Sequence, residues 1–390
     1  MTALTRIFTE GFRIFFLAAG LFGVFAIAVW SLDLAGLADA PGRSVSPLGW
    51  HAHEMVFGYA TAAIGGFFLT AVPNWTGAPG ARQGYIALAA GLWLAGRIAV
   101  WYAGALPPVW VAVLDLAFIP VLSLKLLSQL VKRPKPQNMM FLLFLGLIWA
   151  ANLMVHLDWI GAAWGDAGTG LRAGLLAVCA MISVLGGRVT PAFTRNAMKR
   201  EGVDEARWPV SDARLEKAAL ILSLALPLLV LLPVAPVVTA AVALVFGLAQ
   251  IARLARWRWR WCLTRPILLA LHMGLAMLAA GLVLWGLAGL GLGSEVAALH
   301  VLGIGAVGGM TLAVMSRAVL GHSGRDLVAP GPVAAGYAMI ACAGLLRWVA
   351  GTVPTLWLAG SLMAGLLWVL AFGLFVAALW PALTGPRVAG

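Results

Sequence analysis

The stretch PILLALHMGLAMLAAGLVLWGLAGLG, Pro266 to Gly291, holds one histidine and no Asp, Glu, Lys or Arg. At about 1.5 Å per residue, a helix of this length spans the roughly 30 Å of a bilayer's hydrocarbon core. Its apolar residues run on without alternation, which reads as helix rather than barrel strand. Inside lipid the backbone must satisfy its own hydrogen bonds, and a helix does so within a single segment.

Working outward, similar segments fall near 12–37, 50–72, 84–103, 108–130, 138–160, 170–190, 215–232, 234–254, 295–320, 331–350 and 354–382. Between 215 and 254, Pro227, Pro233 and Pro236 read as a turn between two spans. The chain has 390 residues, 62% hydrophobic and only 10% charged. A soluble domain carries about 25% charged residues, so most of this surface has to face lipid. The expected fold is all-α, a polytopic bundle of about twelve transmembrane helices forming one domain over 1–390. Arg6 and Arg13 precede the first apolar segment, and no clear small-residue cleavage site follows it. It reads as a retained helix rather than a removed signal.

The formal net charge is +12. With the N-terminus inside, 22 of the 26 basic residues fall on the inner side, and only Arg43, Arg97, Arg172 and Arg347 on the outer. This sorting predicts both termini in the cytoplasm. Anionic inner-leaflet lipid accounts for the basic loops without nucleic acid. Cys179, Cys262 and Cys342 are far apart and form no CxxC pair. They exclude a structural zinc motif and covalent c-type haem attachment, and read as small packing residues.

Gly-Gly pairs recur at 65–66, 186–187 and 308–309, offset by 121 and 122 residues. Each is followed by a polar exit, and the arrangement predicts three four-helix pseudo-repeats, 1–130, 131–254 and 255–390. That plan resembles the metal-bearing subunit of haem-copper oxidases. Glycine pairs also serve simply to let membrane helices approach closely.

Polar residues inside spans are costly and mark functional sites by default. The outer halves hold His51, His53 and Glu54 on the second segment, Arg97 on the third and Asp115 on the fourth. They also hold Asn152 and His156 on the fifth, His300 on the tenth and Arg347 on the eleventh. Neutral imidazole suits iron and copper, and His51, His53, His156 and His300 lie at one depth. His51 and His53 point about 200° apart on a regular helix, so either the helix start is irregular or they serve different partners. His53 is the first candidate for an axial haem ligand, with His300 opposite, and His51 and His156 for copper or a second haem. His272 and His322 lie further inward, as a second metal site or as inner-surface hydrogen-bonding residues. Arg97 and Arg347 fit either haem propionates or the carboxylates Asp115 and Glu54. Glu54, beside the histidines, is a candidate proton relay. The 18 tryptophans read as interfacial anchors.

WHAHEMVFGYATAAIGGFFLTAVPNWTG (Trp50–Gly77), GGRVTPAFTRN (Gly186–Asn196) and LHVLGIGAVGGMTLAVMSRAVLGHSGR (Leu299–Arg325) resemble characteristic segments of the NnrS family. GLWLAGRIA around Arg97 and NLMVHL around His156 also fit, and the resemblance runs nearly end to end. Its pattern covers His51, His53, Arg97, His156, His300 and His322. Thr190, before Pro191, departs from it where an apolar residue is expected. The resemblance implies non-covalent b-type haem, copper, and a bacterial inner-membrane protein of nitric oxide response or resistance. The leading expectation is an oxidoreductase resembling a nitric oxide reductase, fed by a quinol or a redox protein. The alternatives are a nitric oxide or metal sensor without turnover, and a transporter.

Overall fold

The computed structural model describes residues 2–37 and 45–388. Arg43, which the charge count puts on the outer side, lies outside the described residues. Every regular element among them is helical. After a single turn at Ala3–Arg6 come twelve long helices. They are α1 (Gly11–Leu34), α2 (Pro47–Thr76), α3 (Gln83–Trp101), α4 (Pro108–Leu130), α5 (Pro136–Ile160), α6 (Ala167–Arg200), α7 (Ala213–Leu231), α8 (Pro236–Leu254), α9 (Pro266–Gly289), α10 (Glu295–His322), α11 (Gly331–Thr352) and α12 (Pro354–Thr384).

Eleven of these are long and apolar enough to cross a membrane. The other, α7, opens with Arg214, Glu216 and Lys217, which shortens its apolar reach. Leucines and isoleucines stand outward in numbers no water-soluble surface carries: Leu124 is 66% exposed and Leu248 59%. The protein is a multi-pass membrane helix bundle.

Local chemistry sets the helix ends. Proline opens α2, α4, α5, α8 and α9 in the first turn, where its missing N–H costs nothing. Gly77, at φ +68°, closes α2 in the left-handed conformation and donates its N–H to the Pro73 carbonyl at 2.8 Å.

The observed ends lie within four residues of the expected segments except at α6. There the polar sequence after Gly187 reads as an exit into a long loop, but the helix continues through Pro191 to Arg200. Proline withholds one hydrogen bond, from the Gly187 carbonyl, and Ala192, Ala197, Met198 and Lys199 then favour helix. Gly202, at φ +69°, ends it.

The chain forms two compact units. Unit 1 comprises Met1–Gly174, Ala318–Asp326 and Phe372–Gly390; unit 2 comprises Leu175–Arg317 and Leu327–Ala371. Each Gly-Gly pair marks a close approach. A Cβ on Gly66 would sit 2.6 Å from the Phe16 ring of α1, one on Gly187 against Arg253 of α8, and one on Gly308 2.3 Å from Trp368 of α12. Around Gly66, Phe12, Phe15, Phe16, Phe68, Phe141 and Phe144 form the buried aromatic core of unit 1.

Arg13 fastens the end of α12 within unit 1. Its NH1 donates to the carbonyls of Ala382, Leu383 and Gly385 at 3.2, 2.9 and 2.9 Å, and its Nε to Glu10 at 3.0 Å. Arg13→Met leaves those helix-end carbonyls without a donor. It is expected to cost about 1–3 kcal/mol, read as a lower melting temperature in detergent with faster proteolysis near residues 385–388.

Candidate functional site

α2 is not one uniform helix. Pro47–His53 is α-helical, Glu54–Tyr59 is π-helical, and Ala60–Thr76 is α-helical again. A π turn closes its hydrogen bonds one residue further along and is common at functional sites. Thr61 Oγ1 donates to the Phe57 and Gly58 carbonyls at 2.5 and 3.2 Å, satisfying acceptors at that irregular turn. His53 and Glu54, at the junction, are both fully buried.

Gly58 sits on the same turn. A Cβ there would lie 2.6 Å from Arg97 NH1 and 2.9 Å from Glu54 Oε2, so only glycine lets the guanidinium of α3 lie against α2. Arg97 then spans two carboxylates. NH1 donates to Glu54 Oε1 at 2.7 Å, and NH2 donates to Asp115 Oδ1 on α4. Of the two alternatives for Arg97, the structure shows the pairing with Glu54 and Asp115.

The other oxygen of Asp115 gathers the remaining groups. Asn152 Nδ2 of α5 donates to Oδ2 at 2.7 Å, His156 Nε2 lies 2.8 Å from it, and His53 Nε2 lies 3.2 Å from it. Asn152 Oδ1 faces His53 Nε2 at 2.9 Å, and Glu54 Oε1 faces His53 Nδ1 at 3.0 Å. Trp159 packs on both imidazoles, with ring centroids 4.9 Å from His53 and 5.1 Å from His156. Four helices, α2 to α5, thus bring two imidazoles, two carboxylates, one amide and one guanidinium into a water-poor space.

The charges do not cancel. One guanidinium stands against two carboxylates, leaving one negative charge for a proton or a bound cation to balance. A buried uncompensated charge is costly, so one of the two has to be present. His53, Asp115 and His156 each offer a ligand atom, all within 4.8 Å of one another and all buried. Donors on one transition-metal ion at roughly 2.1 Å stand roughly 3 Å apart, close to the separations around Asp115 Oδ2. Two imidazoles and a carboxylate suit iron(II), copper(II) and zinc. Glu54 behind His53 supplies the carboxylate that orients a metal-binding imidazole. The residues fit a metal ion.

The other expected residues lie elsewhere. His51 stacks on Trp30, with centroids 4.5 Å apart and planes 9° apart. Since Pro47–His53 is a regular helix, His51 and His53 serve different partners. His322 packs on Phe12 at 5.7 Å. His272, in unit 2, has Nδ1 at 3.0 Å from the Leu268 carbonyl and Nε2 at 3.2 Å from the Trp257 carbonyl.

His300, also in unit 2, precedes a second π-helical stretch, Val301–Gly308. Its Nδ1 lies 2.7 Å from the Val296 carbonyl. A carbonyl only accepts, so Nδ1 carries the hydrogen and Nε2 keeps a lone pair for a ligand.

Asp115 is the residue that sequence reasoning underrated, giving it only the role of a partner to Arg97. Its signal was nonetheless visible, as a carboxylate inside an apolar span where such groups are rare.

A membrane helix bundle enclosing a buried histidine–carboxylate cluster is the class these features define. Within that class the family is specific: the NnrS protein profile matches residues 6–387, nearly the whole chain, and the chain belongs to the NnrS family. No curated protein matches the sequence.

Proposed function

We propose that His53, His156 and Asp115 hold a transition-metal ion, iron or copper. On this reading the protein works with haem in nitric oxide metabolism at the bacterial inner membrane, with both termini cytoplasmic. The observation that carries the reading is the buried cluster itself: three ligand atoms converging in a site short of one positive charge. The family resemblance supplies the link to nitric oxide, haem and copper.

Reduction of two nitric oxide molecules takes two electrons and two protons and yields nitrous oxide and water. A quinol or a redox protein supplies the electrons. Glu54 Oε2 is buried with no hydrogen-bond partner, which leaves it a seat for a proton beside the metal ligands. Arg97 holds Glu54 and Asp115 in place, and Trp159 and Phe57 exclude bulk water from the imidazoles. For haem, His300 has the arrangement an axial ligand needs: a fixed Nδ1–H and an open Nε2. A bound haem would supply the ferrous iron that captures nitric oxide.

Metal analysis of the purified protein and of His156→Ala tests the central point. At least tenfold less non-haem iron or copper per chain is expected in the variant, since one of three protein ligands is gone. Equal metal in both proteins defeats the assignment. Anaerobic nitric oxide with a chemical reductant then decides between turnover and binding: release of nitrous oxide supports the reductase, and its absence supports a sensor. A colourless, metal-free wild-type protein would instead favour transport.

A further inference from the structure

Unit 2 repeats the polar scaffold of unit 1 with its acids removed. In unit 1 the order is His53, a π turn containing Gly58, the pair Gly84-Tyr85, Arg97, Trp110 and Asp115. In unit 2 it is His300, a π stretch containing Gly305, Gly336-Tyr337, Arg347, Trp357 and Ser361. The offsets run from 246 to 252 residues throughout. At the two acidic positions the second copy differs. Glu54, next to the histidine, becomes Val301, and Asp115 becomes Ser361.

The consequence is electrostatic. Arg97 is paired with two carboxylates, whereas Arg347 has none among the described residues. Arg347 is 9% exposed and its NH1 is buried with no hydrogen-bond partner. Ser361 is 7% exposed and its Oγ likewise has no partner. His300 ends the first stretch of α10, which packs against α11, the helix that carries Arg347, and has its Nε2 open. The guanidinium lies where α10 and α11 come close. A Cβ on Gly351 would sit 3.3 Å from Arg347 NH1 and 2.8 Å from Ala297 Cβ, so glycine keeps space beside it. An unpaired guanidinium in an apolar bundle calls for an anion, and its fork of parallel N–H donors matches a planar two-oxygen group.

We propose that Arg347 recognises a planar anionic oxygen group of a ligand bound in unit 2, a carboxylate or a small oxyanion, beside the open Nε2 of His300. One source of that chemistry is a propionate of haem held by His300, and this arm rests on the reading of His300 given above. The other is a free ion such as nitrite. The site is independent of the cation centre in unit 1, where the same scaffold carries its own acids.

Arg347→Gln separates the sources. If the group is a propionate, the purified variant loses haem to apomyoglobin at least tenfold faster than wild type, and neither nitrite nor acetate shifts the melting temperature. If it is a free anion, nitrite or acetate raises the melting temperature of wild type by several degrees, leaves the variant unmoved, and haem loss is the same in both. Identical haem loss and identical anion response in the two proteins would overturn the proposal. Should Arg347→Gln not fold, Arg347→Lys carries the test. It keeps the charge but loses the fork, so the haem-loss or anion effect should fall between wild type and the glutamine variant; a lysine variant identical to wild type overturns it. The non-haem metal content of His156→Ala reports on the unit 1 cluster, so failure there leaves this result readable.

Discussion

Asp115→Asn is expected to empty the metal site while leaving the protein folded, and Arg97→Met to do the reverse. The asparagine has the aspartate's shape but one charge fewer. With it, Arg97 faces Glu54 alone, the buried cluster is neutral, and nothing in it demands a cation. The amide also sets an NH2 group where the aspartate accepts from Arg97 on one oxygen and from Asn152 and His156 on the other. The donor conflict costs about 1–3 kcal/mol, and metal affinity should fall at least a hundredfold.

Arg97→Met removes the positive charge and leaves Glu54 and Asp115 buried without a counter-ion. Breaking a buried pair in this way costs about 3–5 kcal/mol. A bound cation can restore the balance, so added metal should raise the melting temperature of Arg97→Met by more than it raises that of wild type. Saturation at a hundred times the dissociation constant is worth about 2.7 kcal/mol. Metal analysis and thermal unfolding in detergent, with and without added metal, read both effects. An Asp115→Asn protein that keeps its full metal content would show that the carboxylate is only a partner to Arg97.

The helices were legible because their signal is additive. Twenty apolar residues in a row outweigh any single polar one, and the charge between them marks the turns. α6 escaped this logic after Gly187: its last three turns are polar but helical, and composition registers where apolar surface ends, not where the helix does. The π turns after His53 and His300 escaped it altogether, because nothing in EMVFGY or VLGIGAVG separates a π turn from an α turn.

The cluster was half legible. His53, Glu54, Arg97, Asn152 and His156 stood out as polar groups in apolar spans. Their convergence on Asp115 depends on how α2 to α5 are rotated about their axes, which is set by side-chain packing and by the glycine at 58, not by hydrophobicity. The sequence did show that Arg97 and Arg347 were both candidates to bind a carboxylate. It did not show that, of these two and among the described residues, Arg97 alone finds one.

Gly187→Ala should be among the most destabilising single methyl groups that can be added to this chain. A Cβ at 187 would sit 1.7 Å from Arg253 NH2 and 2.7 Å from its Cζ. A long side chain usually swings away from such a clash, but this one is pinned. Arg253 Nε and NH2 donate to Glu216 Oε1 and Oε2 at 3.1 and 2.6 Å, tying α8 to α7. NH1 donates to Gln250 Oε1 at 2.8 Å and to the Ser183 carbonyl at 3.2 Å, and Gln250 Nε2 donates to Ser183 Oγ at 2.7 Å, tying both to α6. The guanidinium lies over the Trp257 ring at 5.1 Å.

The methyl group therefore has to displace a buried charge from its carboxylate, at about 3–5 kcal/mol. Gly309→Ala gives the opposite sign from a sister motif. Its Cβ would meet nothing nearer than 3.6 Å, so the better helix propensity of alanine is left to act. Unfolding of the two variants in detergent should place them on either side of wild type. The double variant Gly187→Ala/Arg253→Met settles the cause. Removing the guanidinium frees the space the methyl needs, and Glu216, whose side chain is 33% exposed, can turn to water. The pair should then cost less than the sum of its parts by more than the 0.5 kcal/mol or so within which independent sites add. Simple additivity would locate the damage in the α6 backbone rather than at Arg253.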